Sequence, residues 1–286
     1  MGNFEETAEK LGLTERINEV QILASDFNTV DLEGIAPFEN ELQVFDLETH
    51  KVIRSNWETK LAENPTMFPG PLASIQEFKV VNKVLKFRLQ RSRFDIYDGL
   101  RKKLPAKLDL NQPGMLDRDF CLPLSMGAVT ITAPDKENPT GTLIFGIRSK
   151  STAFGAGIST LLPAGYFNPE SDRLIMGDPA RQKWLMSIRF TCIKEMVEEI
   201  GIQDYSGFEY LGLIHDGVLA KQPLLGVKLS LDFTAEEVKA VARDFGFEVD
   251  SYHFIPNTIE EVRSFITKHP LDPHSLGRLI LYFATE

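Results

Sequence analysis

Three closely spaced glutamates are the residues best placed to do chemistry in this chain. In Cys192-Ile193-Lys194-Glu195-Met196-Val197-Glu198-Glu199-Ile200-Gly201-Ile202, Glu195, Glu198 and Glu199 stand at i, i+3 and i+4. On a helix those spacings gather side chains on one surface. At about 100° per residue, the apolar stripe runs through Leu185, Ile188, Cys192, Met196 and Ile200, with Glu199 projecting into it and Glu195 on its edge. Like charges at this spacing destabilise a helix, and inward-facing unpaired carboxylates cost more. Lys194 reaches Glu198 at i+4 and leaves the other two unpaired, whereas a hard divalent cation satisfies all three. Gly201 then closes the helix, with Ile202 beyond it for the accompanying apolar contact. An ordinary amphipathic helix with a Glu-rich exposed side is the competing reading of the same pattern.

The neighbouring segments must position this helix. Gly141 to Arg148 is an apolar run ending in a cation, Ser159 to Tyr166 contains a Pro-Ala-Gly loop, and Tyr210 to Ile214 reads as a further strand. With strand, loop, Glu-bearing helix and strand in that order, the sequence resembles the Nudix hydrolase superfamily. Its signature is Gly, five residues, Glu, seven residues, then Arg-Glu-apolar-x-Glu-Glu-x-Gly-apolar. Lys194 to Ile202 matches the second half with Lys194 in place of Arg. The first half departs: Gly165 precedes Lys194 by 29 positions, so 15 residues are inserted, within the loop-like stretch 168–179. Glu170 follows Gly165 one residue too early and is the candidate for the signature's first Glu. A second likeness, in Ser55 to Gly70 and again in Phe94 to Arg101, is to the UDP-glucose pyrophosphatase branch, which carries a lengthened loop in the same place.

The resemblance implies a mixed sheet between helices, an α-β-α sandwich of α+β type, with an N-terminal α/β extension in residues 1–118 and the Nudix domain in 119–286. It also implies Mg²⁺ or Mn²⁺ held by Glu195, Glu198 and Glu199, with Glu195 and Glu199 catalytic. The implied reaction is hydrolysis of a nucleoside diphosphate linked to another moiety, a UDP-sugar giving UMP and a sugar 1-phosphate. Arg148 and Lys150 are candidates for holding phosphate oxygens, and Gly165 for a sharp backbone turn beneath the site. A non-catalytic module that binds a nucleotide or a protein is the alternative. Members of the superfamily often pair, so a homodimer is expected.

Composition bounds the rest. The 286 residues carry 43% hydrophobic and 25% charged side chains, an ordinary globular balance. A net charge of −10 argues against a nucleic-acid partner, which demands a basic footprint. Two cysteines make no disulfide framework, and Cys192 reads as a small core hydrophobe. No apolar stretch reaches bilayer length, and the N-terminus lacks a basic start and an apolar core segment, so no membrane role and a cytoplasmic location are expected. Among the five histidines only His215, beside Asp216, stands where a site residue would. Thr234 and Glu237 form a capping box opening a helix expected to run through Phe245.

Overall fold

The structure, a computed structural model, describes residues 2–32, 39–42, 44–65, 67–108, 120–150, 155–176, 183–243 and 248–286. Its centre is a mixed sheet in the order β1 (Val20–Ala24), β12 (Gly207–Asp216), β13 (Pro223–Ser230), β6 (Ser125–Ile131), β7 (Thr142–Arg148), β14 (Val249–Pro256). The short strand β8 (Ser159–Leu161) pairs with β7, and β9 (Ala164–Tyr166) pairs with β6. β13 and β6 run parallel, while the other pairings within this sheet are antiparallel.

Both faces of this sheet are covered, which is why its inner strands are apolar at successive positions and not only at alternate ones. Ile144 and Leu213 point to one core, with Cys192 and Met196 of helix α4 (Ile188–Glu199). Leu143, Phe145 and Ile214 point to the other, formed by α1 (Gly2–Lys10), α6 (Ile259–Lys268) and α7 (Pro273–Thr285). The expected α-β-α sandwich is therefore the architecture observed. No helix among the described residues is long and apolar enough to cross a membrane.

A second sheet lies N-terminal to this body: β2 (Thr29–Asp31), β5 (Val84–Arg93) and β3 (Glu39–Leu42), with β4 (Pro71–Val81) on β5. Helix α2 (Leu47–Glu63), capped by the Asp46 carboxylate, and α3 (Phe94–Leu100) accompany it. The two sheets share one apolar core. The amide of Ile75 also donates to the Leu122 carbonyl, and that of Leu124 to the Ala73 carbonyl. The expected division at 118/119 falls in 109–119, outside the described residues. Its first part is not one unit, because β1 is hydrogen-bonded to β12 and Ala8 and Leu11 of α1 are buried with Leu279 of α7.

Three local expectations are corrected. Leu185 lies in a hairpin, β10 (Arg173–Met176) with β11 (Lys183–Met186), and not on the glutamate helix, which opens at Ser187 with its hydroxyl accepting from the Phe190 amide. The stretch 168–179 thus contains strand β10 where a loop was expected; positions 177–182 lie outside the described residues. Helix α5 (Ala235–Val241) has its capping box, but it stops short of Phe245: after Ala242 the Arg243 amide turns to the Ile200 carbonyl. Phe245 itself lies outside the described residues.

Candidate active site

Gly165 and Glu195 meet at closest range. A Cβ built on Gly165 would lie 2.1 Å from Glu195 Cδ, so the absence of a side chain is what lets the carboxylate sit over β9. The expected role of Gly165, a sharp turn, is corrected by this: Gly165 sits within a strand, and close approach is what requires it. One residue earlier, the amide of Ala164 donates to Glu199 Oε2 at 2.9 Å. Strand β9 therefore receives two of the three glutamates of α4, and the C-terminal end of that helix is pinned by the Tyr252 hydroxyl on the Glu199 carbonyl at 2.6 Å.

Both carboxylates are strained as anions. Burial pushes Glu195 up to about 7, against the pull of Lys194 and with added repulsion from Glu198 and Glu248. Burial raises Glu199 well above the usual carboxylate range, and Glu195 and Glu248 raise it further. Glu198 is exposed and lines the rim of the same cavity. Glu248, just before β14, is a fourth carboxylate that sequence reading missed; Arg148 Nη2 lies 3.8 Å from it.

Lys194 does not pair with Glu198 as the i+4 spacing suggested. It sits between Glu195 at 3.1 Å and the fully buried Asp172 at 3.2 Å, and these two anions outweigh burial and raise its pKa. Asp172 is held by the Thr191 hydroxyl at 2.8 Å and the Asn168 amide at 2.9 Å. Glu170, the candidate for the signature's first Glu, is exposed and pairs with Arg91 of the N-terminal sheet. The signal for Asp172 was present, an acid within the expected window after Gly165, but only the backbone path decides between neighbours.

Arg278 was also missed. Its guanidinium is fully buried and donates to the carbonyls of Ala128 (2.7 Å) and Leu161 (3.2 Å) and to Ser275 Oγ (2.8 Å). Burial lowers its pKa to about 10, opposed by Asp272 and Glu199. Gly127 makes room for it, since a Cβ there would lie 2.4 Å from Nη1. The arginine thereby ties α7 to β6 and to the turn that presents Ala164 and Gly165.

Lys194, Glu195, Glu198, Glu248 and Arg278 line a cavity of about 660 Å³ between the two sheets. Arg148 lines it; Lys150, exposed on the turn after β7, does not. The N-terminal part supplies the opposite lip, from Asn64 to Leu72, where Phe68 is 73% exposed. Behind the lip, Phe94, Tyr97 and Tyr166 form an edge-to-face cluster with centroids 5.8 to 6.0 Å apart. His215 is buried off the cavity with Nε2 3.4 Å from the Pro105 carbonyl, and burial lowers its pKa to about 4. Its neighbour Asp216 lines the cavity instead and accepts the amides of Val218, Leu219 and Ala220. Cys192 is inert by burial, which raises its thiol pKa.

The donor set suits a hard cation: carboxylate oxygens from one helix, with Glu195 and Glu199 buried and under-compensated as anions. Among the described residues, however, no three His, Cys, Asp or Glu side chains converge as a closed metal-binding group.

No family model matches the chain, and neither does any curated protein. Solved structures do. The MutT protein from Methanosarcina mazei Go1 aligns over 57% of this chain and 92% of its own at 17% identity, TM-score 0.38. A NUDIX hydrolase from Nitrosomonas europaea aligns over 57% and 88% at 15% identity, TM-score 0.34. The C-terminal domain of mouse MUTYH, solved in complex with human PCNA, aligns over 57% and 88% at 11% identity, TM-score 0.37.

Proposed function

We propose that the chain is a Mg²⁺- or Mn²⁺-dependent pyrophosphohydrolase acting on a nucleoside diphosphate linked to another moiety, a UDP-sugar being cleaved to UMP and sugar 1-phosphate. The observation that carries this reading is the Glu195 carboxylate seated over Gly165 beside a buried, protonation-prone Glu199. Glu195, Glu198 and Glu199 would hold the cation, which when bound neutralises the diphosphate and orients the attacking water. Glu195 takes the proton from that water, and Lys194, held by Asp172, fixes the carboxylate's position. Arg148 at the cavity wall holds a phosphate oxygen. The aromatic lip excludes water from one side and offers a face to a flat base.

Incubation with UDP-glucose, ADP-ribose and NADH in Mg²⁺ tests the reading. Release of a nucleoside monophosphate is expected from at least one, and Glu198→Gln and Glu199→Gln are expected to lower kcat by about a hundredfold or more. An inert protein on all three and on a wider nucleotide panel would defeat it. The second reading, a binding module without hydrolysis, is favoured by the outward position of Glu198. Tight, Mg²⁺-independent binding of uncleaved nucleotide would select that one.

A further inference from the structure

The glutamates stand at the wrong end of their helix. Glu198 and Glu199 end α4, and Glu195 stands one turn earlier. This is the negative end of the helix dipole, which favours cations and disfavours anions. The last turn, Met196-Val197-Glu198-Glu199, brings no basic residue of its own. Glu248, just before β14, adds repulsion towards both Glu195 and Glu199. Helix ends whose carbonyls lack partners fray, so a cation site built here needs a restraint that is in place before the ion arrives.

The chain itself closes part of that end. The Ile200 and Gly201 amides return to the Met196 carbonyl at 3.0 and 3.1 Å, and the Gly201 amide also reaches that of Val197 at 3.1 Å. The carbonyls of Glu199 and Ile200 are met across space, by the Tyr252 hydroxyl at 2.6 Å and the Arg243 amide at 3.4 Å. Tyr252 makes the shorter bond, and from a fixed position. It pairs with Gly146 of β7 inside the central sheet, and its half-buried ring packs against the core that holds Cys192 and Met196 of α4. We propose that Tyr252 is a positioning residue for the cation site: its hydroxyl holds the last turn of α4 closed while the glutamates repel one another, and so sets how tightly a divalent cation binds. The assignment rests on the cation-binding part of the proposed function.

The test titrates Mn²⁺ alone into the full-length protein by calorimetry, a readout that needs no turnover. The wild type is expected to bind, and Tyr252→Phe to bind about tenfold more weakly at an unchanged number of sites. A role in stability alone gives the opposite split, fewer competent molecules with the same affinity, and thermal unfolding records any loss of fold. Tyr252→para-aminophenylalanine, which keeps a donor in the same place, is expected to restore most of the affinity. Tyr252→para-methylphenylalanine fills the space of the hydroxyl without donating, and carries the test should Tyr252→Phe not fold. Wild-type affinity in the variant without the donor, or no recovery in the para-amino variant, overturns the positioning role and leaves the hydrolase reading standing. A wild type that binds no Mn²⁺ overturns both. Tyr252-dependent Mn²⁺ binding by a protein that releases no nucleoside monophosphate keeps the positioning role and removes the hydrolase reading, so the two failures are told apart.

Discussion

At the scale of single residues, the contact between Gly165 and Glu195 controls the candidate site. Gly165→Ala places a methyl group where the carboxylate now lies, and the side chain must rotate away. Displacement of a catalytic group by about 1 Å costs roughly a hundredfold in rate, so kcat on the substrate found above is expected to fall by about that factor. An alanine variant with unchanged kcat would show that Glu195 does no chemistry in this position. The electrostatics support a second prediction. Burial raises Glu195 from the ordinary 4.5 to about 7, so the folded protein binds more protons than the unfolded chain between those values. By linkage, its contribution makes the metal-free fold less stable as pH rises through that window. Glu195→Gln removes the penalty: it should be near neutral at pH 5 and stabilising at pH 8, by on the order of 3 kcal/mol at about 1.4 kcal/mol per pH unit. Urea unfolding in a chelator at the two pH values measures the difference. A variant equally or less stable than wild type at pH 8 would contradict the assigned burial cost.

At the scale of elements, α4 is held to β9 by its own glutamates, and the segment leading into β9 is held by α7 through Arg278. The arginine satisfies carbonyls of β6 and β8 and counters Asp272 and Glu199, so its loss strands several buried groups together. Arg278→Met is expected to cost about 3 to 5 kcal/mol, read as a shift in the urea midpoint. Arg278→Lys is expected to recover little of that, because one ammonium does not reproduce the fork of donors. A midpoint within a few tenths of molar of wild type for Arg278→Met would refute the role given to this tie. Here the sequence was legible in part. The helix α4 and the Thr234 capping box both follow from local chemistry, and the structure has each of them. The end of α5 was not legible, because it is a tertiary bond from Arg243 to Ile200 that stops it. The hairpin β10 and β11 was likewise hidden by a Pro, Gly and Asp content that reads as loop.

At the scale of the whole molecule, the N-terminal sheet and the central sheet are joined by one core and close a cavity that neither contains alone. The chemistry of the cavity follows from that division: the central sheet and its helices supply Glu195, Glu198 and Arg148, and the N-terminal part supplies a lip that carries Phe68. The amino-acid sequence by itself determined that Glu195, Glu198 and Glu199 share one side of a helix and that apolar strands flank it along the chain, since periodicity and residue type act within a few positions of the chain. Only the tertiary structure decided that Lys194 turns to Asp172, that Glu248 joins the carboxylates, and that Arg278, 79 positions beyond Glu199, anchors the turn under them. Charges and donors act across space, and which ones come within a few ångströms is set by how the sheets pack and not by their order along the chain.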